Sequence, residues 1–231
     1  MLTINEVCKS FGQKEVLKSL NLSLGGGLIH GLIGENGAGK TTLFECMNRL
    51  LSFQGSIQIN APRGLGYLPT GLFFYPNMKG LEYVEFCLVA RKLKVDYSLI
   101  HTMNALFELP LNQYALEYST GMKKKLALMA IFLQNNDFII LDELFNGLDL
   151  TASIVLKKLI LRFKENNKTV LLSSHILSSL TDICDQVHLL HDGKIERTYL
   201  PNDYQHLESN IIDLSIKDKM DIIEGLSQVM T

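Results

Sequence analysis

GENGAGKTT, residues 34–42, is the stretch of this chain that decides its fold. It matches the pattern G-x-x-x-x-G-K-[ST], in which glycines let successive backbone N–H groups turn inward around a polyphosphate. A helix that begins directly after this phosphate-binding loop (P-loop) adds its positive end to the site. We expect the Lys40 ammonium to reach the β- and γ-phosphates and the Thr41 hydroxyl to ligate Mg²⁺. All nine residues are predicted to bind a nucleoside triphosphate: Gly34, Glu35, Asn36, Gly37, Ala38, Gly39, Lys40, Thr41 and Thr42.

The residues on both sides of the loop agree with this interpretation. Residues 28–34, LIHGLIG, form an apolar run typical of a buried strand, and Leu43, Met47 and Leu50 recur at helical spacing. We therefore expect a strand and a helix within residues 28–51. A glycine-rich turn without a ligand is the alternative, and the flanking elements disfavour it.

Length and composition limit the class of protein. With 231 residues, of which 47% are hydrophobic, the chain suits one α/β domain with a smaller appended subdomain. The formal net charge of −2 gives no electrostatic footprint for nucleic acid. The cysteines form no C-x-x-C pair, so neither a zinc site nor a disulfide framework is indicated and we expect reduced, cytosolic thiols: Cys8, Cys46, Cys87 and Cys184.

The sequence predicts no direct membrane span. No apolar stretch approaches the roughly 20 residues that a membrane-spanning helix needs. Asn5, Glu6 and Lys9 interrupt any signal-peptide core, so none is expected. If the protein acts on a membrane, another subunit has to supply the membrane-spanning part.

Hydrophobic periodicity gives a coarse order of elements. Residues 2–30 predict strands joined by glycine-rich turns, and a further short strand is expected at 56–59. A loop is predicted at 62–69, whereas the pattern from about 73 to 134 is helical. Residues 151–164 predict an amphipathic helix.

The second half of the chain also predicts buried strands. FIILDE (138–143) is an apolar run that ends in two acids and suits a central parallel strand, and TVLLSSH (169–175) is a similar run. Asp192-Gly193 between two strand-like runs predicts a β-hairpin. A short helix is expected near 220–226.

Asp142 and Glu143 follow the P-loop by about a hundred residues. A carboxylate at this place can reach Mg²⁺ through water, and a second carboxylate can polarise the water that attacks a phosphate. We therefore predict Asp142 in the metal site and Glu143 as a catalytic residue. The alternative is a pair of solvated acids at a strand end, which the upstream P-loop disfavours.

The segment YSTGMKKKLALMAIFLQNNDFIILDELFNGLD (118–149) resembles the region from the signature motif to the D-loop in ATPases of the ATP-binding cassette (ABC) family. In that family LSGGQ precedes a helix, which is followed by a strand, the catalytic glutamate and the D-loop. Here YSTGM (118–122) stands in place of LSGGQ, with Ser119 and Gly121 retained. A serine and free N–H groups at a helix start also suit a γ-phosphate, whereas an ordinary N-cap is the alternative.

Two further motifs are similar to those of the family. Residues 146–149 correspond to the D-loop, and Asp149 is expected at the nucleotide. Residues 173–175 correspond to the switch-histidine motif. The resemblance implies three catalytic residues: Lys40, Glu143 and His175.

The resemblance covers about residues 2–200. It implies an α/β P-loop NTPase fold with a mostly parallel central sheet, an N-terminal antiparallel β subdomain and an inserted α-helical subdomain at about 73–135. Residues 1–200 would form the nucleotide-binding domain, and residues 201–231 a C-terminal extension. Phe11 stands where the family places an aromatic ring that stacks on adenine.

The sequence departs from the family pattern at two places. Thr70 follows Gly66-Tyr67-Leu68-Pro69, where glutamine or glutamate is usual. Threonine can still hold water near Mg²⁺ with its shorter side chain, so Thr70 is expected in the metal site. Leu144 replaces the proline that commonly follows the catalytic glutamate, and we expect no consequence. The lysines after the signature are expected to form a solvated helix face: Lys123, Lys124 and Lys125.

The resemblance implies an ATPase subunit of an ABC transporter that uses ATP and Mg²⁺. In the family two cassettes form a homodimer or heterodimer, in which the P-loop of one faces the signature of the other. Separate permease subunits span the membrane, so the chain is expected in the cytoplasm, peripheral on the inner face of the cell membrane. Residues 67–93 resemble the same region of bacterial exporters, which favours export over import.

Two other functions stay open. One is a nucleotide-binding regulator with weak hydrolysis, which the substitution at Thr70 keeps open. The other is a soluble ABC-type ATPase of DNA repair, chromosome structure or translation, although the long coiled-coil insertion or second cassette of such proteins is not found in these residues. A small GTPase is disfavoured because no guanine-reading N-K-x-D pattern occurs.

Overall fold

The computed structural model describes residues 1–215, which form nine β-strands and seven α-helices. The strands are β1 Leu2–Phe11, β2 Lys14–Leu24, β3 Ile29–Ile33, β4 Gln54–Ile59, β5 Leu65–Leu68, β6 Phe138–Leu141, β7 Thr169–Ser173, β8 Gln186–His191 and β9 Lys194–Tyr199. The helices are α1 Lys40–Met47, α2 Gly80–Ala90, α3 Tyr97–Phe107, α4 Thr120–Leu133, α5 Leu150–Glu165, α6 Leu177–Thr181 and α7 Leu207–Ser215.

The strands form two sheets. The smaller sheet is antiparallel, in the order β2-β1-β4, and the larger has six strands in the order β5-β6-β7-β3-β8-β9. Every pairing in the larger sheet is parallel except that of β8 with β9. This architecture confirms the predicted α/β fold with a mostly parallel central sheet and an N-terminal antiparallel β subdomain.

Strands β3, β6 and β7 at the centre of the larger sheet are buried on both faces, which explains why they lie in continuous, mainly apolar runs. Successive side chains of a strand point to opposite faces, so that Ile139 and Leu141 of β6 pack with α4 and α5. Phe138 and Ile140 of the same strand pack with α1 and the antiparallel sheet. One face of the central sheet is therefore covered by α4 and α5, and the other face by α1 and the antiparallel sheet.

A third apolar cluster joins α2, α3 and α4. Helix α4 contributes Leu126 and Met129 to this cluster, and it turns Leu128 and Phe132 toward the sheet. The helices between β5 and β6 are thus attached to the sheet through α4. The boundary of the helical subdomain at about 73–135 stays a prediction, as do the bounds of the other predicted domains.

The hairpin predicted at Asp192-Gly193 is present between β8 and β9. Asp192 and Gly193 have φ angles of 43° and 76°, and His191 pairs with Lys194 on either side of the turn. Positive φ at both central residues is typical of the type I′ turn, whose twist matches that of the strands.

Two predicted boundaries were wrong. Leu65–Leu68, within the loop expected at 62–69, is strand β5 and pairs with β6 along its whole length. A run of four residues is too short for periodicity to reveal, and its strand geometry depends on its neighbour in the sheet.

The second wrong boundary is the end of α1. The helix ends at Met47, and Leu50 lies beyond it. Arg49 takes a left-handed φ of 59°, and the Leu50 N–H donates to the Glu45 carbonyl over 2.9 Å. A left-handed residue with such a hydrogen bond closes a helix.

The short helix expected near 220–226 lies outside the described residues. Within residues 1–215, no helix is both long enough and apolar enough to cross a membrane.

Candidate functional site

Four neighbouring parallel strands end at the same edge of the larger sheet, and each predicted catalytic or metal-binding motif follows one of them. Thr70 follows β5, Asp142 follows β6 and His175 follows β7, while the P-loop follows β3. Ligands of open α/β sheets bind beyond the carboxyl ends of the strands. The topology therefore gathers motifs that lie far apart in the sequence.

The P-loop leads into α1 with the start of the helix uncapped. Gly39, the N-cap of α1, has φ 108°, and among the described residues no side chain caps this helix. The N–H groups of the first turn are therefore available to an anion. A Cβ on Gly34 would come within 2.3 Å of the Leu190 carbonyl oxygen. Only glycine lets the loop begin so close to β8.

Lys40 is buried and lies across the P-loop. Its Nζ donates to the carbonyl oxygens of Gly34 at 2.7 Å and Glu35 at 3.2 Å. The same Nζ is 3.8 Å from Glu143 Oε1. The ammonium thus lies between the loop and the predicted catalytic carboxylate, within reach of phosphates bound there.

Asp142 connects the P-loop to β7 through both of its carboxylate oxygens. Thr41 Oγ1 donates to Asp142 Oδ2 over 2.7 Å, and Ser173 Oγ donates to Asp142 Oδ1 over 2.6 Å. Ser173 Oγ also accepts the backbone N–H of Glu143 at 2.8 Å. Ser173 was not among the predicted site residues, although a hydroxyl at the end of an otherwise apolar buried strand is a usable signal, because buried polar groups need partners.

Glu143 and His175 form a hydrogen-bonded pair. His175 Nδ1 is 2.9 Å from Glu143 Oε2, and Asn146 Nδ2 donates to the same oxygen over 3.2 Å. Because a carboxylate oxygen only accepts, His175 Nδ1 is the donor in this pair. Two donors therefore orient the Glu143 carboxylate.

A cavity of about 420 Å³ lies over the P-loop. Thr70 and Glu143 line it together with P-loop residues, so the structure brings these separate motifs to one space. Two residues of β2 that were not predicted also line it, Lys14 and Val16. The remaining lining residues are Asn36, Gly37, Gly39, Lys40, Thr41 and Thr42.

Thr41 and Asp142 fit a magnesium ion by their chemistry. Mg²⁺ prefers oxygen ligands, uses one or two carboxylates and keeps several waters. The hydroxyl and the carboxylate lie side by side, and Thr70 lines the adjoining cavity. Among residues 1–215, no separate cluster of three His, Cys, Asp or Glu side chains suits a metal.

Phe11 lies at the end of β1, near the mouth of this cavity. It pairs in register with Lys14, which lines the cavity, and its ring is half exposed. Lys9 Nζ is 5.0 Å from the ring centroid. An exposed ring at this place is accessible to a planar base, and its contact with adenine stays a prediction.

Ser119, Gly121 and Asp149 form a second group, which does not line the cavity in the described part of the chain. Ser119 caps α4 and accepts the Met122 N–H over 3.3 Å. A Cβ on Gly121 would come 2.9 Å from the carbonyl oxygen of Gly147 in the predicted D-loop. The signature and the D-loop are therefore in contact with each other.

Asp149 is the N-cap of α5. It accepts the Ala152 N–H over 2.7 Å and pairs with Lys125 at 3.0 Å. The hydrogen bond from Ala152 and the Lys125 charge lower the pKa of the Asp149 carboxyl. Its contact with nucleotide stays a prediction.

The solvated face expected for the three lysines after the signature was wrong for Lys124. This residue is buried, with 6% of its surface exposed. Its Nζ donates to the carbonyl oxygens of Glu143 at 2.7 Å and Asn146 at 2.8 Å. The cause is the packing of α4 against the loop after β6, which the sequence does not reveal.

The comparisons with known proteins agree with this geometry. The family model described as "ABC transporter" matches residues 17–146, more than half of the chain. An uncharacterized ABC transporter ATP-binding protein of Methanocaldococcus jannaschii is 31% identical over 201 residues, which cover 84% of this chain and 75% of the relative.

A second relative and a solved structure are also similar. The lantibiotic transport ATP-binding protein SrtF of Streptococcus pyogenes is 30% identical over 212 residues, covering 84% of this chain and 89% of the relative. The solved structure of an ATP-binding subunit of an ABC transporter has a TM-score of 0.81 and 25% identity, covering 90% of this chain and 93% of that chain.

Proposed function

The chain belongs to the ABC transporter family as an ATP-binding protein, and from this premise we propose that it hydrolyses ATP to drive a permease carried by separate chains. The observation that supports hydrolysis best is that Lys40 and Glu143 line one cavity, while Asp142 and His175 are hydrogen-bonded to two of its lining residues, Thr41 and Glu143. Phosphoryl transfer needs positioning and charge stabilisation, and this arrangement supplies both.

Each of these side chains has a distinct part in the proposed reaction. The Glu143 carboxylate accepts a proton from the water that attacks the γ-phosphorus, and His175 and Asn146 hold that carboxylate in place. Lys40 and the N–H groups at the start of α1 bind the phosphates and offset their charge.

Mg²⁺ would be held by Thr41 and by Asp142 through water, with Thr70 beside them. When bound, the ion neutralises charge on the β- and γ-phosphates. Ser173 keeps the Asp142 carboxylate oriented and leaves the Thr41 hydroxyl next to its other oxygen.

We further propose that two cassettes share ATP. Ser119 and Gly121 do not line the cavity over the P-loop, so one chain offers two separate partial sites. A second cassette, identical or different, would place its Ser119 against the γ-phosphate held by Lys40. ATP shared in this way shifts the equilibrium toward the closed dimer because it binds the closed dimer more tightly than the separate chains.

Export is the direction that we propose. The resemblance of residues 67–93 to bacterial exporters supports it, as does the similarity to a lantibiotic transport protein. The chain would then work on the inner face of the cell membrane, bound to its permease. The cargo is selected by the permease in this proposal.

Phosphate release by the full chain tests the proposed function. We expect release from ATP that requires Mg²⁺, stops when the metal is chelated, and is lost in Lys40→Ala. Tight ATP binding without phosphate release would instead favour a regulatory nucleotide-binding protein.

Purification of the protein from membranes, together with its bound partners, would test the transport role. Recovery of ribosomes or DNA and no permease would contradict that role.

A further inference from the structure

Lys124 is a buried cation attached to the loop that carries Glu143. Helix α4 projects it under this loop, where its Nζ donates to two backbone carbonyls, that of Glu143 at 2.7 Å and that of Asn146 at 2.8 Å. The two carbonyls belong to the first and last residues of one short turn. A single ammonium thus fixes both ends of the turn.

The turn needs such a constraint because its backbone is unusual. Glu143 has a φ of 48°, in the left-handed region that non-glycine residues seldom occupy. Such a conformation persists where the surrounding structure holds it. The Ser173 hydroxyl holds the N–H of Glu143, and Lys124 holds its carbonyl.

Both residues bound by Lys124 determine where the Glu143 carboxylate points. Glu143 carries the carboxylate itself, and Asn146 Nδ2 donates to its Oε2 over 3.2 Å. A shift of either backbone group therefore moves the carboxylate or one of its donors. The orientation toward His175 depends on the same backbone.

A charge at this place is costly, which favours a specific role over plain packing. Burial lowers the pKa of Lys124, and the nearby carboxylates of Glu143 and Asp142 oppose that effect. A buried charge that is not compensated by partners destabilises a protein. Hydrogen bonds from a charged donor are shorter and stronger than those of a neutral amide.

We propose that Lys124 is a positioning residue for ATP hydrolysis, which aligns the Glu143 carboxylate by holding the backbone of residues 143 and 146. The proposal rests on the proposed role of Glu143 as general base. Because Ser119 caps the same helix, the hydrogen bonds of Lys124 also tie the catalytic loop to the helix that begins at the signature.

The test compares Lys124→Met with Lys123→Met in the full chain. Methionine keeps most of the length of the side chain and removes its donors, and Lys123 is the neighbouring, more accessible lysine of the same helix. We expect Lys124→Met to lower kcat by about 10- to 100-fold, since a displacement near 1 Å can cost about 100-fold. ATP affinity should change by less than about twofold, because the ground-state contacts of ATP are untouched. Lys123→Met should have the same kcat and the same ATP affinity as the wild-type protein.

A double-mutant cycle with Glu143→Gln separates positioning from a general structural effect. If Lys124 acts through the carboxylate, Lys124→Met should lower the residual single-turnover rate of Glu143→Gln by less than about twofold. Lys124→Arg should restore much of kcat, since its fork offers donors to two carbonyls. Should Lys124→Met fail to fold, Lys124→Gln serves as the shorter neutral donor, with the same selective loss of kcat expected.

The outcomes distinguish the two proposals. Equal kcat for Lys124→Met and Lys123→Met, or an equal loss with and without the Glu143 carboxylate, would overturn the positioning role alone. A fall in melting temperature with unchanged kcat would also overturn it. No Mg²⁺-dependent phosphate release by the unchanged protein would refute the proposed function, and the positioning role with it.

Discussion

Thr41 and Asp142 share a hydrogen bond of 2.7 Å although 101 positions separate them in the chain. The strand order explains this contact, because β7 alone lies between β3, which leads to the P-loop, and β6, which leads to Asp142. Ser173 at the end of β7 binds the other carboxylate oxygen. The three residues form a continuous hydrogen-bonded row along the edge of the sheet.

Asp142→Asn tests this row. The amide presents a donor where a carboxylate oxygen accepted, so one of the two hydroxyls loses its acceptor. We expect the Mg²⁺ concentration that gives half-maximal phosphate release to rise by about 10- to 100-fold, as is typical when the groups around a metal change. A magnesium titration measures it. Asp192→Asn is the control, because that carboxylate is exposed in a turn that suits asparagine. An unchanged midpoint in Asp142→Asn would contradict the predicted metal site.

Glu143→Gln should keep ATP binding and remove turnover. Loss of a general base costs about 10²–10⁴ in rate, or roughly 3–5 kcal/mol of barrier. Because ATP then stays intact, we expect a stable dimer in its presence. Phosphate release and light scattering measure the two effects, with the exposed Glu117→Gln as control. Turnover near the original rate would show that Glu143 is not the base.

Ser173→Ala should destabilise the fold as well as the site. It leaves Asp142 Oδ1 and the Glu143 N–H without their partner. A buried polar group left unsatisfied costs about 1–3 kcal/mol, and we expect a loss of that size in the free energy of unfolding. Denaturant titration measures it. Ser178→Ala, at an exposed serine of α6, should have little effect. Equal stabilities of the two variants would show that these hydrogen bonds contribute nothing.

Because two histidines are buried next to each other, we predict that the free energy of unfolding falls in acid. His30 Nδ1 on β3 is 3.2 Å from His188 Nε2 on β8. His30 Nε2 is 3.0 Å from the Gly25 carbonyl, and His188 Nδ1 is 2.8 Å from Thr198 Oγ1. Because a carbonyl only accepts, His30 Nε2 carries a proton and its Nδ1 accepts from His188. The network is complete with both rings neutral.

Burial lowers the pKa of His188 to about 3 and also lowers the pKa of His30. The unfolded chain titrates its histidines near the ordinary pKa of about 6.5, so below that pH it binds protons that the folded state excludes. The free energy of unfolding should therefore be highest above about pH 6.5 and fall toward pH 3. Each such histidine contributes a slope of at most about 1.4 kcal/mol per pH unit.

Denaturant titrations between about pH 7.5 and 5 check this dependence. His188→Gln should flatten the slope, since glutamine can still donate to His30 and accept from Thr198 without titrating. His101→Gln, at an exposed histidine, should leave the slope unchanged. The same slope in His188→Gln and the unchanged protein would rule out the buried pair as its source.

The sequence predicted those features whose physical cause is local. The P-loop depends on consecutive N–H groups, so nine adjacent residues suffice to identify it. The β8–β9 hairpin depends on two residues that accept positive φ. The apolar run of β6 predicted a strand that is buried on both faces, and the structure confirms that all four of its residues are buried.

The sequence did not predict features whose cause lies in distant neighbours. Lys124 has the same chemistry as Lys123 and Lys125 beside it, and only the packing of α4 against residues 143–146 makes it a buried donor. Ser173 acquires its role from the strand next to its own.

The amino-acid sequence by itself therefore determined the identity of the phosphate-binding loop, because it follows from a pattern within nine residues, and the fold class, which the resemblance to the ABC family implied. Only the tertiary structure decided that the Ser173 hydroxyl and the Lys124 ammonium complete the site around Asp142 and Glu143. The reason is the order of the strands: β6, β7 and β3 are neighbours in the sheet but far apart in the chain, and hydrogen bonds act over distances near 3 Å.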